Sequence, residues 1–101
     1  MRAHPGRRAE LLELLHELVD AAAAEEPGTL VYVMHEAADD PDTVVSYELF
    51  ADDAALEAHK ASPAVAGLMP RLGPLIAERS FRRLEPAHAT GLPPLPERDR
   101  E

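Results

Sequence analysis

The chain has 101 residues, with 19 acidic and 10 basic side chains, a formal net charge of −9 and no cysteine. Its length fits one domain, because domains usually hold about 100–150 residues. The acidic balance disfavours binding to nucleic acid or anionic membranes, which both need a basic surface. The lack of cysteine excludes disulfides and thiolate metal sites. No apolar run approaches the roughly 20 residues of a membrane-spanning helix and no signal peptide is expected, so we predict a cytoplasmic protein.

The first half of the chain predicts a helix followed by two strands. Leucine and alanine recur at helical spacing from Arg7 to Ala24, which indicates an amphipathic helix. Thr29–Glu36 and Thr43–Phe50 are rich in β-branched and aromatic residues and predict strands. The acidic, proline-containing stretch 37–42 predicts a turn, so the two strands are expected to pair as an antiparallel hairpin.

The second half predicts two helical segments and a last strand. Asp52 or Asp53 can cap a helix from Ala54 to about Lys60. The Ser62-Pro63 pair indicates another helix start. Two prolines in that helix, Pro70 and Pro74, are expected to bend or break it. A last short strand is predicted over Arg79–Glu85.

This order of elements is the ferredoxin-like βαββαβ pattern, an α+β fold, with its first strand short or missing. Only Arg2–His4 is available for that strand, whereas strands usually hold about 5–6 residues. Either a neighbouring element covers the sheet edge, or the true start lies upstream of Met1, and we favour the second explanation. We predict a domain over residues 1–85 and a proline-rich tail over 86–101.

Pairing of two copies is expected from the second strand of the hairpin. Val44 and Val45 point to opposite faces of the sheet, so both faces carry apolar groups. Helices on one side leave the other face open, and an exposed apolar face favours a homodimer.

A set of short motifs runs through the chain in a fixed order: Pro27–Tyr32, Asp40–Thr43, Tyr47–Phe50 and Ala55–Pro63. The most specific part is Glu48-x-Phe50 followed by Ala55-Leu56-x-x-His59-x-x-Ser62. In this spacing, over roughly residues 5–85, the motifs resemble the antibiotic biosynthesis monooxygenase family, which includes small quinol monooxygenases. The resemblance implies a dimeric α+β barrel with a small pocket between sheet and helices. It also implies that some members oxidise quinols or phenols with dioxygen and use no metal or flavin.

Three side chains are candidates for catalysis: His59, Tyr47 and Tyr32. In the family that the chain resembles, a histidine at the place of His59 often faces the cavity. A neutral imidazole can take a proton from a phenol, whose anion then passes an electron to dioxygen. The alternatives are a histidine that fixes its helix by hydrogen bonding to the backbone or to Glu48, and tyrosines that only pack in the sheet.

Other polar residues have simpler interpretations. Glu48 could act as a base, but a structural acceptor or an ion pair between subunits is the favoured interpretation. His35 is interpreted as a solvated strand end. The histidines show no metal-ligand spacing, so no metal site is predicted. Arginines near the last strand could hold an anion, but salt bridging is their default role: Arg71, Arg79, Arg82 and Arg83.

The favoured hypothesis is a cofactor-independent monooxygenase that oxidises a small quinol or phenolic polyketide with dioxygen. The chain contains no Asn and no Trp, whereas characterised cofactor-free relatives use one of them in the pocket. This departure favours a non-catalytic dimeric module that binds a small ligand, and an oxygen-independent isomerase or cyclase is a third possibility. The substrate is expected to contact apolar side chains: Met34, Phe50, Val65, Leu68, Met69 and Leu72.

Overall fold

A computed structural model describes residues 1–93 of the chain. Within this part, three α-helices and four strands follow one another in the predicted βαββαβ pattern, with two consecutive helices in the second helical position. The elements are β1 Arg2–Ala3, α1 Arg8–Glu25, β2 Thr29–Glu36, β3 Val44–Phe50, α2 Asp53–Lys60, α3 Pro63–Leu72, a short 3-10 helix Gly73–Leu75 and β4 Ile76–Glu78.

Two antiparallel strand pairs are joined side by side. β2 pairs with β3 as the predicted hairpin. Arg2 bridges to Thr43, and the Val44 N–H donates to the Met1 carbonyl over 2.8 Å, so β1 lies on the second edge of β3. Because Arg2 also pairs with Glu78, β4 lies beyond β1 and the strand order is β4–β1–β3–β2. This antiparallel order is that of a ferredoxin-like fold and confirms the predicted class.

The core lies between one face of this sheet and the helices α1 and α3. Leucines three or four residues apart share one face of α1, and this face is buried, as the helical spacing predicts. Val44 is 1% exposed on the covered face, whereas Val45 is 53% exposed on the opposite face. The expectation of apolar groups on both faces of β3 is therefore confirmed. The central side chains are Leu11, Leu15, Leu18, Val44, Leu68 and Leu72.

Side chains cap the two helices as predicted. The Asp52 carboxylate accepts a hydrogen bond from the Ala55 N–H over 2.8 Å. The Ser62 hydroxyl oxygen accepts one from the Ala64 N–H over 3.2 Å. Each cap satisfies a backbone donor that has no partner inside the first turn of a helix.

The two prolines of the α3 region have different outcomes. Pro70 does not break α3, because the helix continues through it to Leu72, and the side of the helix that carries Pro70 is exposed. Pro74 lies in the 3-10 helix that follows, where the α-helix has already ended.

The last strand is shorter and earlier than predicted. The prediction of a strand over Arg79–Glu85 is wrong, since β4 spans Ile76–Glu78. Its partner β1 has only two residues, so a longer β4 finds no backbone groups to pair with. From 79 to 91 every side chain is exposed. Of the predicted tail, residues 94–101 lie outside the described part.

Within residues 1–93, no helix combines the length and the apolar character that crossing a membrane requires.

Candidate active site

His59 stands in the last turn of α2, and its side chain is 12% exposed. None of the eight residues of this helix is fully buried, and His59 is partly buried together with Ala55 and Leu56. A Cβ atom at position 28 would lie 2.5 Å from the Ala55 Cβ, so Gly28 is what allows α2 to approach the chain before β2 so closely.

Both ring nitrogens of His59 face carboxylate oxygens. Nδ1 lies 2.7 Å from Oε1 of Glu26, and Nε2 lies 3.2 Å from Oε1 of Glu48. A carboxylate only accepts hydrogen bonds, so an imidazolium that donates from both nitrogens satisfies both contacts. The side chains of Glu26 and Glu48 are 10% and 29% exposed, so this bridge is largely shielded from water.

The two carboxylates come from opposite sides of the histidine. Glu26 directly follows α1, and the Thr29 hydroxyl donates to its Oε1 over 2.9 Å. Glu48 lies in β3 opposite Tyr32, with the Ser46 hydroxyl 3.4 Å from its other oxygen. The bridge therefore ties helix α2 to the end of α1 and to strand β3.

Two aromatic rings enclose the imidazole. The Tyr32 ring meets it edge-on, with centroids 5.5 Å apart and an interplanar angle of 84°. The Phe50 ring lies at 5.3 Å with an angle of 43°. Apolar walls lower the local dielectric constant and strengthen the hydrogen bonds between the charged groups.

The charges shift two ionisation equilibria. The pKa of His59 is raised above its ordinary value, chiefly by the hydrogen bond to Glu48 and further by the closer Glu26, while burial opposes the rise. Burial, followed by the negative charges of Glu48 and Glu26, raises the pKa of the Tyr32 hydroxyl. Tyr32 therefore keeps its proton at neutral pH, which makes its hydroxyl a donor and not a base.

The structure brings part of the predicted set together and separates the rest. The ring of His59 contacts those of Tyr32, a predicted catalytic residue, and Phe50, a predicted substrate contact. Tyr47 is not brought to them. It lies opposite Val33 and next to Glu48 in β3, and successive side chains of a strand point to opposite faces. The prediction that grouped Tyr47 with His59 and Tyr32 is therefore corrected, because strand alternation places Tyr47 on the other face of the sheet.

The predicted apolar contacts lie mostly in the core. Leu68 and Leu72 are 4% and 1% exposed, which leaves no surface for a substrate in this conformation. Met34, Val65 and Met69 pack against the same core. Phe50 is the exception: among the described residues, it is the predicted apolar contact whose ring touches His59.

Two cavities open elsewhere on the described part of the chain. One, of about 460 Å³, is lined by Arg8, Glu36 and Asp42 with their neighbours. The other, of about 520 Å³, is lined by residues that include Met1 and Arg79. None of the predicted catalytic or apolar contact residues lines either cavity. Residues 1–93 contain no group of three or more His, Asp or Glu side chains placed to hold a metal ion.

The remaining polar candidates are peripheral. His35 is exposed and its Nδ1 lies 2.9 Å from the Val45 carbonyl. Arg71 pairs with Glu17 over 3.1 Å at the surface. Arg83 contacts Asp53, also at the surface. These contacts agree with the interpretation as solvated or salt-bridging side chains.

Glu26 is the site residue that the sequence analysis misses. It stands among acidic residues at a helix end, a pattern typical of a solvated surface. The available signal is Pro27-Gly28, which reverses the chain directly after Glu26, and the Thr29 N–H indeed donates to the Glu26 carbonyl. A carboxylate just before such a turn lies beside the first residues of the next strand.

Fold and site together define a small α+β protein with a shielded acid–base cluster at one end of a ferredoxin-like sheet. The family model of the antibiotic biosynthesis monooxygenases matches residues 1–70. This match covers more than half of the chain, so the protein belongs to that family. No curated protein matches the chain.

Solved structures share the fold over most of the chain. A protein of Chloroflexus aurantiacus J-10-fl that bears the same family name is 30% identical, with a TM-score of 0.76 and 91% of each chain covered. One of Caulobacter crescentus CB15, also named after the family, is 25% identical, with a TM-score of 0.74 over 78% of this chain and 74% of that one. A conserved protein of Methanosarcina mazei Go1 is 19% identical with a TM-score of 0.69 over 77% and 76%, which shows the fold alone.

Proposed function

We propose that the protein is a cofactor-independent monooxygenase that oxidises a small quinol or phenolic polyketide with dioxygen. The observation that carries the proposal is the shielded His59 between two carboxylates, beside two aromatic rings, in a chain of a monooxygenase family. An aromatic substrate would pack against Tyr32 and Phe50, since offset or edge-on ring contacts are favourable. Its hydroxyl would then face Glu48, the most exposed charged group of the cluster.

The proton of the substrate hydroxyl goes to the coupled pair of His59 and Glu48. The sequence suggested a neutral imidazole as base, but both nitrogens of His59 already face carboxylates. We therefore assign the accepting atom to Glu48, with His59 holding that carboxylate in place.

The oxidation step balances without a further reductant. The phenolate gives one electron to dioxygen, which leaves a phenoxyl radical beside superoxide. The radicals combine into a carbon–oxygen bond at a ring carbon that carries a hydrogen, and the peroxide anion takes back the proton held by Glu48 and His59 to give a hydroperoxide. That carbon then loses its hydrogen as a proton while the O–O bond breaks, and the proton and the departing hydroxide form water. One atom of dioxygen ends as a carbonyl oxygen and the other as water.

A homodimer in the cytoplasm is part of the proposal. The sheet face opposite the core carries Val33 and Val45, which are 40% and 53% exposed. A second copy covering this face would remove the apolar side chains from water. The family resemblance implies the same pairing.

The test is oxygen uptake by the purified protein with a panel of naphthoquinols and anthrones, with a chelator and without added flavin. We expect uptake above autoxidation and its loss by about 100-fold or more in His59→Ala and Glu48→Gln, because acid–base catalysis contributes roughly 10²–10⁴-fold. His16→Ala, at an exposed histidine on α1, is the matched control and should keep the activity. Uptake that survives in His59→Ala would overturn the assignment.

A second candidate is a non-catalytic dimeric module that binds a small apolar ligand. The occupied nitrogens of His59 favour it, because a clamped imidazole can be purely structural. An oxygen-independent isomerase or cyclase would need only the proton transfer at Glu48. Incubating the same panel under nitrogen separates the three: turnover without oxygen indicates the isomerase, and ligand binding without turnover in either gas indicates the module.

A further inference from the structure

Glu26 is a shielded carboxylate that the proposed reaction does not use. Its side chain is 10% exposed, and its Oε1 lies 2.7 Å from His59 Nδ1 and 2.9 Å from the donating Thr29 hydroxyl. In the described part of the chain, His59 is its one salt-bridge partner. Because a shielded charge is costly without an opposite charge beside it, Glu26 and the imidazolium stabilise each other.

The two carboxylates beside His59 differ in their access to a substrate. Glu48 is 29% exposed, and its Oε2 lies 3.4 Å from the hydroxyl of the exposed Ser46. Glu26 is less exposed and lies on the opposite side of the imidazole, where one of its oxygens already accepts from two donors. A substrate hydroxyl can therefore meet Glu48, whereas Glu26 acts through His59.

The balance of charge changes when Glu48 takes a proton. In the resting site, one imidazolium lies between two carboxylates. When the substrate O–H bond breaks and an O–H bond forms on Glu48, this side chain becomes neutral and no longer attracts the imidazolium by charge. Burial disfavours a charged imidazole, so His59 would then tend to lose its own proton. The negative charge of Glu26, 2.7 Å from Nδ1, opposes that loss.

Among the described residues, no charged side chain other than the two carboxylates contacts the imidazole. Tyr32 of β2 meets the ring edge-on and stays protonated, because chiefly burial raises the pKa of its hydroxyl. On α2 itself, the exposed Glu57 and Lys60 pair with each other over 3.5 Å. Glu26 is therefore the charge that remains beside His59 once Glu48 is neutral.

We propose that Glu26 is a positioning residue: as the counter-ion of His59, it keeps the imidazolium charged while Glu48 holds the proton of the substrate. This role rests on the proposed function, in which Glu48 is the proton acceptor. The imidazolium keeps its Nε2–H directed at Oε1 of Glu48, so the carboxyl group stays in place until the peroxide anion takes the proton back. The substrate proton thus remains beside the substrate throughout the reaction.

NMR of the imidazole nitrogens tests the charge of His59 without any substrate. Glu48→Gln keeps an acceptor oxygen and removes the charge, as protonation of Glu48 does. We expect the titration midpoint of His59 in this variant to lie about one pH unit or more above that in the double variant Glu48→Gln/Glu26→Gln, because a close opposite charge shifts a pKa by about 1–3. The chain has five histidines, and the signal of His59 is the one that His59→Gln lacks.

Glu25 offers a matched control, since it directly precedes Glu26 and is exposed. Adding Glu25→Gln to Glu48→Gln should leave the midpoint of His59 unchanged, because water and salt screen an exposed charge. Equal midpoints in Glu48→Gln and in the double variant with Glu26→Gln would overturn the proposal, whether or not the protein oxidises a quinol.

Oxygen uptake tests the consequence for the reaction. Glu26→Gln should lower kcat about tenfold or more and leave KM within about threefold, because Glu26 acts on the proton and does not touch the substrate. Glu25→Gln should keep both constants. An unchanged kcat in Glu26→Gln would overturn the proposal, whether KM rises or not.

The two measurements separate this proposal from the proposed function. If the parent oxidises no member of the panel, the proposed function fails and the role in the reaction fails with it, whereas the midpoints still decide whether Glu26 is the counter-ion of His59. If the double variant does not fold, Glu48→Gln/Glu26→Asp replaces it, since Asp keeps the charge but withdraws it by about 1.5 Å. We then expect a smaller fall of the midpoint, and no fall would overturn the proposal.

Discussion

The two ends of the β2–β3 hairpin are each held by a cation, but the cations differ in kind. At the loop end, Nη1 of Arg8 donates to the Asp40 carbonyl over 2.9 Å and to those of Ala37 and Thr43 over 3.3 and 3.4 Å. At the other end, His59 contacts the carboxylates of Glu26 and Glu48.

This difference distinguishes a purely structural contact from a site that can exchange protons. A guanidinium keeps its charge at every pH that a folded protein meets, and backbone carbonyls do not take up protons. An imidazole can lose its proton near neutral pH, and its carboxylate partners can accept one. Both side chains are mostly buried, at 21% and 12% exposure, so burial alone does not identify the site. The site is identified by its hydrogen-bond acceptors, which are carboxylates at His59 and backbone carbonyls at Arg8.

The largest effect on stability is expected at the loop end. Arg8→Ala removes a donor shared by three carbonyls and should lower the free energy of unfolding by about 2–3 kcal/mol, because hydrogen bonds to charged groups contribute about 1.5–3 kcal/mol. Urea unfolding at pH 7 measures it. Arg71→Ala is the matched control, since its pair with Glu17 is exposed and should contribute less than about 1 kcal/mol. Equal losses of unfolding free energy in the two variants would mean that Arg8 stabilises the loop end no more than an exposed salt bridge does.

Periodicity made most of the fold predictable. The spacing of leucines in α1 and the β-branched residues of β2 depend on neighbours in sequence, and these elements lie where predicted within one residue. The prediction of the last strand was wrong because the length of that strand depends on a partner that is distant in sequence. Arg79–Glu85 has the composition of a strand, but β1 offers only two residues to pair with.

The site was predictable only in part, for a similar reason. His59 and Tyr32 could be found from motif and residue type. Glu26 was missed because its role arises from a contact 33 residues away, and the only sequence signal for it is the turn that follows at Pro27-Gly28. Tyr47 was included because no register was known, and a single step along the strand changes the face of the sheet.

The second prediction concerns the His59 end and pH. The folded-state pKa of His59 is raised, so its contribution to stability is complete below the unfolded value of about 6.5 and is lost as pH rises through the folded value. His59→Gln should be about 1–2 kcal/mol less stable than the parent at pH 6, with a smaller gap at pH 9. Urea unfolding across that range measures the gap. A gap that stays constant with pH would show that His59 is not charged in the folded protein.

The smallest effect on stability is expected from the Asp40 carboxylate at the loop end, and its pH dependence is opposite in sign to that of His59. The Asp40 carboxylate accepts hydrogen bonds from the Asp42 N–H at 2.9 Å and the Thr43 hydroxyl at 2.8 Å. The bond from Asp42 is the main cause that holds the pKa of Asp40 below its usual value. Its contribution is therefore complete above the unfolded value of about 3.9 and is lost as pH falls through the folded one.

The stability difference between Asp40→Asn and the parent should accordingly narrow from pH 6 to pH 2, and Asp39→Asn, at the exposed neighbouring position, is the control variant. Thermal unfolding at a series of pH values measures both. A hairpin whose two ends titrate in opposite directions is most stable at mildly acidic to neutral pH, where the imidazolium and the Asp40 carboxylate are both charged. If the stability difference between Asp40→Asn and the parent instead stays constant down to pH 2, the Asp40 carboxylate does not stabilise the loop. The loop end is then held by Arg8 and the backbone, and only the His59 end of the hairpin depends on pH.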